Sequence, residues 1–139
     1  MICVWSYESS AVGDVRAHLL DIARAGERRN ATAQVSGVLG YDVYGFYQVL
    51  EGRCADVGAL RRLILRDRRH RVNWECIRQV DARRMPMTLP IAFLATEIPH
   101  GAILRPGNDG VPERFEAFLL DRAAEKYPRS YAHQLAAAG

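Results

Sequence analysis

Residues 45–52 read GFYQVLEG, and Gln48 is the member of that stretch with chemistry to offer. Side chains along a strand alternate between its two faces. Phe46, Gln48 and Leu50 therefore share one face, and Tyr47, Val49 and Glu51 the other. If Phe46 and Leu50 face a core, Gln48 does too, and a buried amide without partners costs about 1–3 kcal/mol. Two further polar residues sit near apolar stretches. Tyr7 shares a strand face with Trp5 in ICVWSY and can project its hydroxyl into an apolar interior. Asn30, in GERRNATAQVSG, falls just past a helix, where its ordinary use is as a C-cap. The run RDRRHR at 66–71 is the densest basic cluster and could meet phosphates of a nucleic acid or a cofactor, or simply face solvent.

The elements that must position these residues follow from periodicity. Strands are expected at 2–7, 34–41, 45–51, 73–80 and about 89–96, the last weakened by Pro90. The second and third are joined by the short hairpin connection DVY. Helices are expected at 14–28, with Val15, Leu19, Ile22 and Ala23 at helical spacing and Asp14 as N-cap, and at 56–66, with Val57, Leu60 and Ile64 on one stripe, Leu63 beside it and Asp56 as cap. A third helix at 112–127 begins on a proline and carries Phe115, Phe118, Leu119 and Ala123, and a short helix at 129–138 follows a loop at 105–112. The order β-α-β-β-α-β plus a further strand predicts an α+β, ferredoxin-like sandwich. Two helices cover one sheet face, and the C-terminal helices are the candidates to cover the other. Residues 1–97 and the 98–139 extension are read as one globular unit.

Composition sets limits on function. The 139 residues suffice for one domain, and half apolar with a quarter charged is ordinary globular usage. No apolar run approaches the ~18 residues of a membrane span, and MICVWSYES lacks the basic start of a secretory signal, so the cytoplasm is the expected location. The net charge of +3 comes almost wholly from arginine, since Lys126 is the only lysine. No nucleic-acid-binding signature accompanies it, and nucleic acid is not expected as a partner. Cys3, Cys54 and Cys76 are widely spaced without a CxxC or Cys/His pattern, which indicates neither a zinc site nor a disulfide framework. Cys3 and Cys76 read as small core residues.

Taken together and in order, four blocks resemble the BLUF family of blue-light sensors, which bind FAD noncovalently. They are Tyr7 with Ser9 in SYES, Asn30 in RRNATAQVSGVLGY, Gln48 in GFYQVLEG, and LILRDRRH ending in Asp67, Arg69 and His70. The resemblance covers roughly residues 2–85. It implies an isoalloxazine ring between the two helices, in an apolar slot lined by Ile22, Val35, Leu39, Leu63 and Ile64. Asn30 would bond the pyrimidine edge of the ring, and Gln48 would bridge the flavin and the Tyr7 hydroxyl, using an amide that both donates and accepts. The diphosphate would run toward Asp67, Arg69 and His70, with Arg29 nearby, since guanidinium forks suit phosphate oxygens. It further implies light-driven rearrangement of the Tyr7–Gln48–flavin hydrogen bonds with no substrate turned over, a downstream protein partner, and a homo-oligomer.

The chain departs from the family on the fifth strand, where Arg-Phe-x-x-Trp-x-Met is usual and this sequence has RRMPMTLPIAF. Met85 takes the Phe place, Thr88 the Trp place and Pro90 the Met place, unless a shift of one residue brings Met87 toward the site. Gly40 also stands where a bulkier residue is commoner. The working photoreceptor is therefore weighed against a degenerate interaction module with weak or no flavin binding. An acylphosphatase-like enzyme is disfavoured, because neither a phosphate-cradling glycine loop beside an Arg–Asn pair nor a nucleophile–base constellation is evident.

Overall fold

Strand β1 (Ile2–Ala11) is almost wholly buried, because its neighbours cover both edges and helices cover both faces. The structure, a computed structural model, describes residues 1–95 and 112–131. After β1 come α1 (Val15–Ala33), β2 (Ser36–Tyr41), β3 (Gly45–Arg53), α2 (Cys54–Leu65), β4 (His70–Val80), β5 (Ile91–Ala95) and α3 (Pro112–Lys126). The sheet order is β4-β1-β3-β2-β5. The first four strands pair antiparallel in the expected ferredoxin-like arrangement, and β5 joins the edge parallel to β2.

The register explains both buried faces. Tyr7 lies opposite Gln48, Trp5 opposite Leu50 and Leu39 opposite Gln48. Cys3, Trp5, Tyr7 and Leu50 pack with Val57 and Leu60 of α2, while Leu39 and Phe46 pack with Val15 of α1 and Ile91. The alternate residues Val4, Val38, Tyr47 and Val49 pack with Met85, Ala92, Leu94 and, from α3, Phe115, Leu119 and Ala123. The C-terminal helix thus covers the second face, as the apolar alternation requires.

That second face also holds charge. Glu116 of α3 is fully buried and takes hydrogen bonds from Arg84 Nη2 at 3.1 Å, from Ser6 Oγ at 3.4 Å and from the guanidinium of Arg78. Pairing with Glu116 pushes the Arg78 guanidinium up. Glu51, also fully buried, accepts the backbone N–H groups of Arg84 and Met85 at 2.8 and 2.9 Å, both on Oε1. Burial raises its carboxyl above the usual range, against those two bonds and the charges of Arg84 and Arg83.

Several boundaries differ from expectation. Helix α1 has the predicted cap, with Asp14 Oδ1 accepting from Arg16 N at 2.9 Å, but it runs to Ala33. Asn30 is therefore inside the last turn and is not the C-cap; Gln34 caps the helix in the left-handed region at φ 55. Helix α2 starts two residues early, on Cys54, with no side-chain cap; Asp56 is in its first turn, held by Arg53 Nε at 2.8 Å. Strand β4 begins at His70, and Pro90 lies just before β5 without interrupting its pairing.

Cys3 and Cys54 form a disulfide, which overturns the reading of the cysteines as unpaired. Fifty-one residues separate them in sequence, but the β1–β3 register sets Ile2 against Arg53, and Cys54 follows directly. Cys76 is half-buried on the edge strand and is no core residue. Residues 128–131 form a helical turn. The remainder of the short helix expected at 129–138, and residues 105–111 of the expected loop, lie outside the described residues.

Candidate functional site

A cleft opens between α1 and α2 above the sheet. The space enclosed between its walls is narrow, about 40 Å³. Its floor is Leu39, Phe46 and Gln48 with Tyr7; α1 contributes Ile22, Ala25, Gly26, Arg29 and Asn30; α2 and the turn after it contribute Leu60, Ile64, Asp67, Arg69 and His70; Ile91 closes one side.

Tyr7 and Gln48 are cross-strand neighbours on β1 and β3, and the Tyr7 hydroxyl donates to Gln48 Oε1 at 2.5 Å. Both are buried, at 3% and 5% exposure, which keeps competing water off the bond. Trp5 fixes the phenol from below, with ring centroids 4.6 Å apart. Burial first, and the Asp67 charge second, push the Tyr7 phenol far above its ordinary value, so it stays a neutral donor. With Oε1 facing Tyr7, the Gln48 amide still carries two N–H donors.

Asn30 is 2% exposed, and its Nδ2 donates to the Pro90 carbonyl at 3.0 Å. That carbonyl also accepts the Gly37 N–H at 3.0 Å. Gly37 makes room for this arrangement: a Cβ there would stand 2.7 Å from Leu50 Cδ2 and 3.2 Å from Asn30 Nδ2. The Asn30 amide is thus held by one donor, with its oxygen and second N–H not engaged by that bond.

At the mouth, Arg69 grips Asp67 through Nε at 2.9 Å and Nη2 at 2.5 Å, and its own N–H donates to the same carboxylate at 3.0 Å. The hydrogen bonds from Arg69 are the main reason the Asp67 carboxyl is held low. A solvent-open shelf adjoins the cleft, where Arg24, Arg28, Arg29 and Arg69 gather beside Asp21 and Glu27. His70 uses Nε2 on the Ile64 carbonyl at 3.0 Å, and its ring lies 5.9 Å from Tyr7 and 6.1 Å from Phe46. His70 Nδ1 is buried with no hydrogen-bond partner among the described residues.

All the site residues singled out in the sequence line this cleft except Val35 and Leu63. Val35 is buried beneath it among Trp5, Tyr7 and Leu50, and Leu63 is 48% exposed on the outer side of α2. Leu60, one stripe position earlier, fills the place expected for Leu63. Ala25, Gly26, Phe46 and Ile91 were missed as lining residues. Phe46 could have been found, because it shares the Gln48 face. On the departing segment, Met85 is buried against α3 on the opposite sheet face, Thr88 is exposed and Met87 is 50% exposed. Met87 does not line the cleft.

The residues present suit a flat aromatic ligand with a polar edge and a phosphate tail. The walls are apolar, two amides and an orphaned imidazole nitrogen border the slot, and cations stand at its mouth. Fold and cleft together define a ferredoxin-like α+β domain with a cleft between its paired helices. The chain belongs to the BLUF family, described as sensors of blue-light using FAD, whose match spans residues 2–86.

Similar solved structures include the BLUF protein BlrB in its dark state, with a TM-score of 0.68 and 25% identity over 89% of this chain and 96% of that one. BlsA in its photo-activated state gives 0.67 and 22% over 88% and 94%. Klebsiella pneumoniae BlrP1 with FMN and cyclic diGMP gives 0.61 and 27%, over 68% of this chain and only 26% of that longer one. No curated protein sequence matches significantly. Among the described residues, no helix is long and apolar enough to cross a membrane.

Proposed function

We propose that this chain is a blue-light photoreceptor that holds FAD in the α1–α2 cleft and signals by rearranging the Tyr7–Gln48 hydrogen bond. The observation carrying the reading is that bond itself, buried in the wall of a cleft with apolar sides. It answers what a core-facing glutamine is for: one end of the amide meets a phenol, and the other faces the ligand. A bound flavin supplies blue absorption and an excited state able to accept an electron. Tyr7 holds a proton on Oη, would pass it to Gln48 Oε1, its hydrogen-bond acceptor, as its electron leaves, and would take both back when the charges recombine. Gln48 then rotates or tautomerises, exchanging which of its polar ends faces Tyr7. Asn30 orients the ring by its polar edge, and Ile22, Leu39 and Ile64 exclude water. Arg29 and the neighbouring shelf arginines suit a diphosphate, and Arg69 joins them by sharing or leaving Asp67. His70 Nδ1 suits a hydroxyl of the linking chain. No substrate is turned over; the output passes through the sheet to α3 and from there to a second copy of the chain or a separate cytoplasmic protein.

The purified protein should be yellow, release FAD and not FMN on denaturation, and shift its flavin absorption reversibly to the red by several nanometres in blue light. Tyr7→Phe and Gln48→Ala should abolish the shift while leaving flavin bound, and a full photocycle in either variant refutes that residue's role. A second reading, an interaction module derived from the family that has lost its flavin, is favoured by one observation. Thr88 and Met87 are exposed and line no part of the cleft, and Met85 lies across the sheet, so this segment contributes neither a Trp nor a Met to the cleft. A colourless protein that cannot be reconstituted with FAD would establish this second reading.

A further inference from the structure

We propose that Cys3–Cys54 is a redox-active disulfide, exchanged by thiol reductants, whose state sets how firmly α2 closes the cleft; it is a chemical input separate from light. The bond ties the start of β1, the strand carrying Tyr7, to the first residue of α2, the helix carrying Leu60 and Ile64 and leading into Asp67, Arg69 and His70. These two elements form opposing parts of the cleft. The bridge stands at the end of α2 whose N-cap, Arg53, makes no side-chain capping bond. Other ties at this end are the packing of Val57 against Trp5 and Leu50, a Cys54 N–H bond to the Met1 carbonyl at 3.2 Å, in a terminal residue, and the exposed Arg53–Asp56 pair.

The two sulfurs differ in a way that suits exchange. Cys3 is 6% exposed within the Trp5–Tyr7–Leu50 cluster, whereas Cys54 is partly exposed. Access directs an incoming thiolate to Cys54 Sγ. A bond forms between the reductant sulfur and Cys54 Sγ, the Cys3–Cys54 bond breaks, and Cys3 leaves as a thiolate that takes a proton. A second reductant thiolate attacks the reductant sulfur of this mixed disulfide. The oxidised reductant departs as its own disulfide, and Cys54 leaves as a thiolate at the N-terminus of a twelve-residue helix, where backbone N–H groups favour negative charge. The protein disulfide gains two electrons and two thiols of the reductant lose them. Cys76, the remaining cysteine, stays outside this chemistry, because burial raises its thiol. In a reducing compartment disulfides that do form are commonly sensing ones.

The test uses the full chain, air-oxidised or treated with dithiothreitol. Thiol titration after denaturation should give one thiol per chain oxidised and three reduced. Reduction should raise backbone hydrogen exchange across 54–70 without unfolding β1–β3, and should speed release of bound FAD by about tenfold. Cys54→Ser and Cys3→Ser should show the fast exchange with or without dithiothreitol, and Cys76→Ser should respond as the parent does. Three thiols in the oxidised protein, or exchange at 54–70 that is unchanged by reduction, would overturn the proposal. If the serine variants do not fold, the oxidised and reduced parent still decide it. If the protein binds no flavin, thiol count and exchange decide it alone, so failure of the light-sensing reading and failure of this one are distinguishable.

Discussion

Replacing Glu51 by glutamine should stabilise the protein near neutral pH and leave it unchanged in acid. Glu51 is fully buried and uses one oxygen for two backbone N–H groups, while its Oε2 has no hydrogen-bond partner among the described residues. The Tyr131 hydroxyl is likewise buried and unpartnered, and burial followed by the Glu51 charge raises its phenol. A carboxyl raised by burial is protonated more readily in the folded chain than in the unfolded one. Below the ordinary carboxylate range both states hold the proton and nothing is lost. As pH rises past that range the unfolded chain ionises first, so stability falls until the raised folded value is passed, and then levels off. Glutamine keeps an oxygen for the two N–H groups and replaces the unpaired anionic oxygen with an amide NH2 that can donate. An unpaired buried polar atom costs about 1–3 kcal/mol, and the nearby charges of Arg83 and Arg84 return part of that to the carboxylate. The expected gain is about 1 kcal/mol at about pH 8 and about zero near pH 4. Urea unfolding across that range measures both. A variant less stable than the parent at the upper end, or one with the parent's pH slope, would refute this account of Glu51.

Gln34→Gly should raise stability by roughly 0.5–1 kcal/mol, because a non-glycine residue holds the left-handed cap of α1; a loss in chemical denaturation would count against it. Glu116→Ala should cost about 2–3 kcal/mol, less than a fully enclosed pair because Arg78 and Arg84 reach water. It should also expose α3 to limited proteolysis; resistance equal to the parent's would dismiss Glu116 as the tie between α3 and the sheet. Asn30→Ala should lower flavin occupancy on purification, and unchanged flavin content would remove Asn30 from the binding site.

The parts of the site legible in the sequence were those fixed by local alternation. The face shared by Phe46, Gln48 and Leu50 follows from strand geometry alone, as does the inward direction of Tyr7 beside Trp5. The family pattern brought Asn30 and the Asp67–His70 turn to the same cleft although they arise from different elements. Non-local pairing was not legible. Ile91 reaches the cleft only because β5 joins β2 in parallel, and Cys54 meets Cys3 only through the β1–β3 register. The end of α1 was misplaced because Gln34 adopts a backbone conformation that normally announces itself with glycine. Choosing Leu63 over Leu60 was an error of helical phase: Leu63 adjoins Ile64 and so is turned about 100° from it, whereas Leu60, four residues before Ile64, shares its face.

The segment 81–90 is fastened at both ends to different business. Its far end offers the Pro90 carbonyl to Asn30, and its near end lays Arg84 and Met85 on Glu51 and extends Arg84 to Glu116, with Pro86 O accepting from Ser36 Oγ at 2.8 Å between them. Ten residues therefore act as a strap around the rim of the sheet, buckled to the ligand side and to the helix side alike. A substitution there cannot be diagnosed from spectroscopy or from melting alone, since slack in the strap registers on both sides of the sheet.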